Sequence, residues 1–224
     1  MAHRSLLHRM WYAFSKWWIR LGLMLAFRIR YSGTQNVPAE GAILVVSNHQ
    51  SFLDPPLIGA GFPRMMNFMA RQSRFKVTPF AWLIRSFNAF PIDREGALGG
   101  IKETLRRLKR GEVVVVFPEG ARTADGEIAP FMPGFATLAV RSGAAILPAA
   151  MEGAFQVWPR TRRWPRLGRI HVHYGLPILP SEIKQLDEQE LVAEIERRVR
   201  QCHAVLRRHP VFSTTQIPSP SERG

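Results

Sequence analysis

From Gly33 onward, short apolar runs alternate with segments in which apolar residues recur every three or four positions. That alternation predicts an α/β fold, with a mostly parallel central sheet flanked by helices. Runs at Ala42–Val46, Met65–Ala70, Asn88–Ile92, Val113–Phe117, Ala145–Ala149 and Ile170–Tyr174 predict strands, and their nearly unbroken apolarity predicts burial on both faces. Between them, Gly100–Arg110 places Ile101, Leu105 and Leu108 on one helical face and stops at Gly111; Pro133–Gly143 also ends on glycine. From Ser181 to Arg208, Leu191, Ile195, Val199, Cys202 and Leu206 recur at helical spacing among charges, so a long helix is expected to press that stripe into the core. No internal repeat, P-loop or dinucleotide fingerprint is visible.

Ahead of the sheet, Met10–Phe27 predicts a different kind of helix. At ~1.5 Å per residue it reaches about 27 Å, slightly short of a hydrocarbon core of roughly 30 Å. Arg9, Lys16 and Arg20 fall on one narrow face, with Phe14, Trp18, Leu21 and Leu25 opposite. A charged residue at a helix centre costs about 2.5–3.5 kcal/mol to insert, so an in-plane, interfacial amphipathic helix is expected, its basic edge on lipid phosphates. Trp11, Trp17, Trp18, Lys16 and Arg20 are the candidate membrane contacts. The alternative is a helix packed on the protein's own core. Neither the short apolar core nor the cleavage pattern of a secretory signal is evident. The expected organisation is a membrane-anchoring helix at 1–32, one domain at 33–209, and a Pro- and Ser-rich tail at 210–224 that is expected to be disordered.

Charge narrows the partners. Lys and Arg number 31 against 17 Asp and Glu, a net +14, which suits an anionic surface: phospholipid, nucleic acid or an acidic protein. Gln156–Gly175 carries five arginines and two tryptophans; beside the aromatic N-terminal helix, this composition favours lipid over nucleic acid. The single cysteine, Cys202, excludes a disulfide framework within the chain and a Cys-rich metal site, and fits a reducing setting.

In open parallel sheets ligands bind beyond the carboxyl ends of strands, so the loops there hold the candidate chemistry. The first runs Asn-His-Gln-Ser-Phe-Leu-Asp from Asn48 to Asp54 and leads into Pro55-Pro56; the third strand is followed by Asp93-Arg94, and the fourth by Pro118-Glu119-Gly120-Ala121-Arg122. On a continuous helix His49 and Asp54 would lie about 140° apart, so they must meet across a turn. Two prolines suit a first helical turn, with Asp54 as its N-cap. If Asp54 accepts the Nδ1 proton of His49, Nε2 is left to take a proton from a hydroxyl, a general-base dyad. The plainer alternative is a loop histidine beside a capping aspartate. Ser51 lacks the Gly-x-Ser-x-Gly elbow of a nucleophile, and no third ligand lies near enough in sequence to suggest a metal. Gly120 lets backbone amides approach a ligand, while Arg94 and Arg122 together suggest a phosphate pocket.

The motifs Asn48–Asp54, Phe90–Arg94, Phe117–Thr123 and Ile146–Glu152 stand in the order and spacing of the four sequence blocks of the glycerolipid acyltransferases, and over residues 30 to 155 the chain resembles the lysophosphatidic acid acyltransferases. The resemblance implies His49 as general base and Asp54 as its orienting partner, with Arg94, Glu119, Gly120 and Arg122 as the acceptor-phosphate site and Pro148 in a supporting block near the acyl donor. It further implies acyl-CoA or acyl carrier protein as donor, a lysolipid as acceptor and no cofactor; with the interfacial helix, peripheral attachment at the cytoplasmic face of the cell membrane is expected. Two departures stand out: Ala121 replaces a usual threonine, and Met132-Pro133 replace a common lysine before Gly134. They leave the base untouched and keep open lyso-ornithine lipids, other lysophospholipids, or a non-catalytic lipid-binding role.

Overall fold

The computed structural model describes residues 6–71, 88–92 and 97–208. Helix α1 (Leu6–Phe27) leads to a short edge strand β1 (Arg30–Ser32) and then to β2 (Ile43–Ser47), α2 (Asp54–Gly61), β3 (Met66–Arg71) and β4 (Ala89–Ile92). There follow α3 (Ala97–Leu108), β5 (Val113–Val116), α4 (Ala136–Ser142), β6 (Ala145–Glu152), α5 (Ala154–Val157), β7 (His171–Tyr174), α6 (Pro180–Ile183) and α7 (Glu188–Arg207). The seven strands form one sheet in the order β1-β7-β6-β2-β5-β3-β4. Every pairing is parallel except β6 with β7.

The central strands bury both faces, as their unbroken apolarity requires. Ile43, Val45, Val113, Val115 and Leu147 point into a core shared with Leu23 and Phe27 of α1 and Leu57 and Ile58 of α2. Leu44, Val46, Val114, Val116 and Ile146 point the other way, onto Leu108 of α3, Leu138 of α4 and Leu191, Ile195 and Val199 of α7. Each such fully buried aliphatic side chain contributes about 1.5–3 kcal/mol.

All six expected strands form within a few residues of their predicted bounds, and β6 runs three residues longer. Strand β1 was not anticipated, because Arg-Tyr-Ser carries no apolar run; it pairs with β7 at the sheet edge. The expected long C-terminal helix is broken in two. Asp187 accepts from the Glu190 amide at 2.9 Å while Glu190 accepts from the Asp187 amide at 3.0 Å, a capping box that starts α7 afresh. Ile101, expected on the inner face of α3, is exposed, whereas Leu108 is buried. The proposed tail at 210–224 lies outside the described residues.

Helix α1 packs one face on the protein's own core and exposes the other. Tyr12, Leu23 and Phe27 are buried with Ile19 packed beside them, and the opposite side leaves Leu7, Met10, Phe14, Trp17, Trp18 and Leu25 exposed. No helix among the described residues is long and apolar enough to cross a membrane.

Candidate active site

The end of β2 is stitched to its neighbours before its loop begins. Asn48 donates Nδ2 to the Met151 carbonyl at 3.0 Å and accepts from the Met151 amide at 2.9 Å, which locks the loop to β6. The next residue, His49, is held by backbone on both sides: its amide donates to Glu119 Oε1 at 2.7 Å, and its carbonyl accepts from the Thr123 amide at 2.8 Å. The imidazole lies against the Phe117 ring, centroids 4.3 Å apart and planes 19° apart. Its Nδ1 is 2.6 Å from Asp54 Oδ2.

Asp54 is fully buried, and its Oδ2 also accepts from the amides of Gln50 (2.6 Å) and Ser51 (2.8 Å). Burial pushes its acid group upward, while His49 and those two amides pull the other way. An oxygen already receiving two amide protons is an acceptor, so Nδ1 is the donor and Nε2 keeps its lone pair. The His49 side chain is 21% exposed, so the ring reaches the surface.

The expectation that Asp54 caps α2 is corrected. The residue is the first of the helix, Leu53 precedes it as N-cap, and the carboxylate turns back into the loop. The cause lies in the two prolines that follow: Pro55 and Pro56 have no amide proton to give a capping acceptor, and the Leu57 amide goes to the Leu53 carbonyl at 2.8 Å.

In the loop after β5, Glu119 does not present a free carboxylate to a ligand. Oε1 holds the His49 amide and Oε2 the Ala129 amide at 2.9 Å, so the side chain fastens two loops together. Burial raises its acid group above the ordinary range against the pull of those amides. Gly120 turns the chain at φ 70, a left-handed conformation that favours glycine, and is solvent-exposed. A Cβ there would lie 2.2 Å from Met132 Cε, so the methionine that departs from the family pattern leans over this turn. Arg122 stacks its guanidinium on Phe52, 3.5 Å from the ring centroid. Phe52 in turn meets Trp158 at 5.7 Å, and Arg160 donates to the Arg122 carbonyl at 3.3 Å.

His49, Asp54, Glu119, Gly120 and Arg122 are thus gathered at one edge of the sheet, while Arg94 lies outside the described residues. Ser51 is buried with its hydroxyl on the Trp158 carbonyl at 3.0 Å. Phe52, Phe117 and Trp158 shape the rim but were not singled out. The signal for Phe52 was an aromatic three residues after the histidine; nothing local announced Trp158, more than 100 residues away.

Of the membrane candidates, Trp11, Trp17, Trp18 and Arg20 are exposed on α1. Lys16 is different. Its ammonium donates to the Phe62 carbonyl, and burial, with Arg20 nearby, lowers its pKa. The inward stripe of Tyr12, Ile19 and Leu23 carries Lys16 with it, so the anticipated basic edge is interrupted there.

A model of the family described as Acyltransferase matches residues 28–152, more than half of the chain. The 1-acyl-sn-glycerol-3-phosphate acyltransferase of Bacillus subtilis (strain 168) is 26% identical over 185 residues, covering 82% of this chain and 90% of that protein. A chloroplastic enzyme of the same name from Arabidopsis thaliana is 29% identical over 150 residues, covering 65% of this chain but only 42% of that longer protein. Among solved structures, the 1-acyl-sn-glycerophosphate (LPA) acyltransferase PlsC from Thermotoga maritima superposes with a TM-score of 0.75 at 28% identity, covering 90% of this chain and 80% of that one.

Proposed function

The chain belongs to the Acyltransferase family, and on that premise we propose that it moves a fatty acyl group from an acyl thioester to the free hydroxyl of 1-acylglycerol-3-phosphate, giving phosphatidic acid at a membrane surface. The names of the relatives supply the substrate class. The observation that carries the mechanism is the 2.6 Å contact between His49 Nδ1 and Asp54 Oδ2 beneath a partly exposed ring.

Asp54 holds the Nδ1–H tautomer and stabilises the imidazolium that forms during transfer. Nε2 takes the proton of the lysolipid hydroxyl as its oxygen attacks the thioester carbonyl. Collapse of the tetrahedral intermediate breaks the carbon–sulfur bond, and the departing thiolate takes the proton back from Nε2. The imidazole ends neutral and the products are an ester and a thiol. Arg122, braced on Phe52, and the exposed turn at Gly120 receive the acceptor's phosphate. Glu119 acts through His49 by fixing its backbone. The donor is acyl-CoA or acyl carrier protein, and the exposed aromatic face of α1 attaches the protein peripherally to the bilayer.

A second acceptor class follows from one contact. Met132 leans over Gly120 where a lysine would add charge, which favours a less anionic lysolipid head group. Thiol release measured with acyl-CoA against a panel of lysolipids separates the two. The proposal expects lysophosphatidate to have the highest kcat/KM and Arg122→Ala to raise its KM about ten- to a hundredfold, the loss of a charge-assisted hydrogen bond. A neutral or zwitterionic acceptor at the top of the panel, with KM indifferent to Arg122, contradicts the phosphate assignment.

A further inference from the structure

The arginines of this protein are treated differently in different places. On α3, Arg106 and Arg107 meet Glu103; on α7, Arg197 and Arg198 meet Glu194, and Arg200 meets Glu196. The loop from Pro159 to Arg169 breaks this habit. Arg160, Arg162, Arg163, Arg166 and Arg169 are all exposed, no described carboxylate pairs with any of them, and no Asp or Glu occurs between Glu152 and Glu182. Among these cations Trp164 is 70% exposed and Leu167 81% exposed.

The loop is nevertheless built. Trp158 donates Nε1 to the Arg162 carbonyl at 3.0 Å, the Arg166 amide donates to the Val157 carbonyl at 3.0 Å, and Arg166 Nε donates to the Gln156 carbonyl at 2.6 Å. Its C-terminal end adjoins α1, where the Ile170 amide donates to the Phe27 carbonyl at 3.2 Å, and at its other end Trp158 packs on the core cluster beneath the sheet. Its base also touches the candidate site, through the Trp158–Phe52 ring contact and the bond from Arg160 to Arg122.

We propose that the 159–169 loop is a second bilayer-docking element, recognising anionic lipid head groups beside the apolar face of α1. It rests on the reading of the chain as an enzyme of membrane lipids. Arg162, Arg163 and Arg169 meet lipid phosphates, and Trp164 and Leu167 enter the head-group layer, where indoles are stable. A nucleic acid would use the cations but leave Leu167 in water. A bilayer takes up both kinds of group, and α1, whose last residue Phe27 bonds the end of the loop, also exposes Leu25, Trp17 and Trp18. Docking at this loop brings the Arg122 rim to the depth at which a lysolipid displays its hydroxyl.

The test uses the full chain and sedimentation with vesicles of phosphatidylcholine alone or mixed with phosphatidylglycerol, so it does not depend on acyl transfer. The triple variant R162Q/R163Q/R169Q is expected to lose the preference for anionic vesicles, its partition falling about a hundredfold. W164A/L167A is expected to weaken binding to both vesicle types. All five positions are exposed, and unchanged thermal unfolding verifies that the variants fold. Wild-type partition of both variants onto both vesicle types overturns the proposal; a raised KM for acyl-CoA beside it, read in a separate assay, would give the loop to the donor's phosphates. Binding to duplex DNA that competes with anionic vesicles at equal phosphate also counts against it.

Discussion

At the scale of single residues, the account turns on which groups touch substrate and which hold others in place. Glu119 stands in the motif that the resemblance assigns to acceptor binding, yet both its oxygens are occupied by the amides of His49 and Ala129. Glu119→Gln keeps one acceptor and puts an NH₂ against an amide proton, so the loop carrying His49 shifts. A displacement of that kind costs up to about 10² in turnover. Steady-state kinetics should therefore show kcat reduced with KM for the acceptor nearly unchanged; a raised KM at constant kcat would restore Glu119 to the substrate. The His49–Asp54 meeting was legible from the sequence because five residues and two prolines demand a turn. The carboxylate's contact with His49 was legible too, but the expected cap was not formed, because the prolines also remove the amide protons that a cap needs. Glu119 was illegible for a longer-range reason: its second partner, Ala129, is set by how the loop folds, and no local spacing announces it.

At the scale of elements, α7 is fastened to the sheet by charge as well as by its apolar stripe. Glu152, at the end of β6, meets His203 at 2.5 Å and Arg207 at 3.3 Å, and Arg207 reaches on to Glu127 at 2.8 Å. Burial works against the Glu152 carboxylate, but His203 and Arg207 outweigh it and hold its pKa below the ordinary value. A carboxylate lowered by folding stabilises the protein above its unfolded pKa, about 4.3, and that contribution is lost as pH falls through the lower folded value. Chemical denaturation of Glu152→Gln at neutral pH should show a loss of about 1–3 kcal/mol. Its stability should also vary less with pH below about 4.3 than that of the wild type. Parallel pH curves would remove Glu152 from the network. The apolar stripe of α7 was readable from its period, and the capping box at Asp187 lay in plain view. The strong helical pattern on both sides hid the break. Strand β1 could not be read at all, since three residues at a sheet edge carry no period.

At the scale of the whole molecule, a net charge of +14 and an exposed aromatic helix would act on a membrane by different physics. Electrostatic attraction is screened as the Debye length shrinks from about 10 Å at 0.1 M salt to about 3 Å at 1 M, whereas burial of tryptophan and leucine side chains is not. Partition onto anionic vesicles should fall with salt to a plateau well above zero, and Trp17→Ala with Trp18→Ala should lower the plateau; complete release of the wild type by salt would show that α1 stays out of the bilayer. The sheet brings loops from distant parts of the chain to one edge, and in the proposed function the surface around them faces lipid, where the acceptor resides. The proposed function rests on one proton transfer at His49. The most direct test is the turnover of His49→Ala with saturating acyl-CoA and lysophosphatidate, alongside its thermal unfolding and vesicle binding. The account predicts kcat lowered by at least about 10², the usual worth of a general base, with fold and membrane partition intact. Turnover within tenfold of the wild type in a properly folded variant would contradict it.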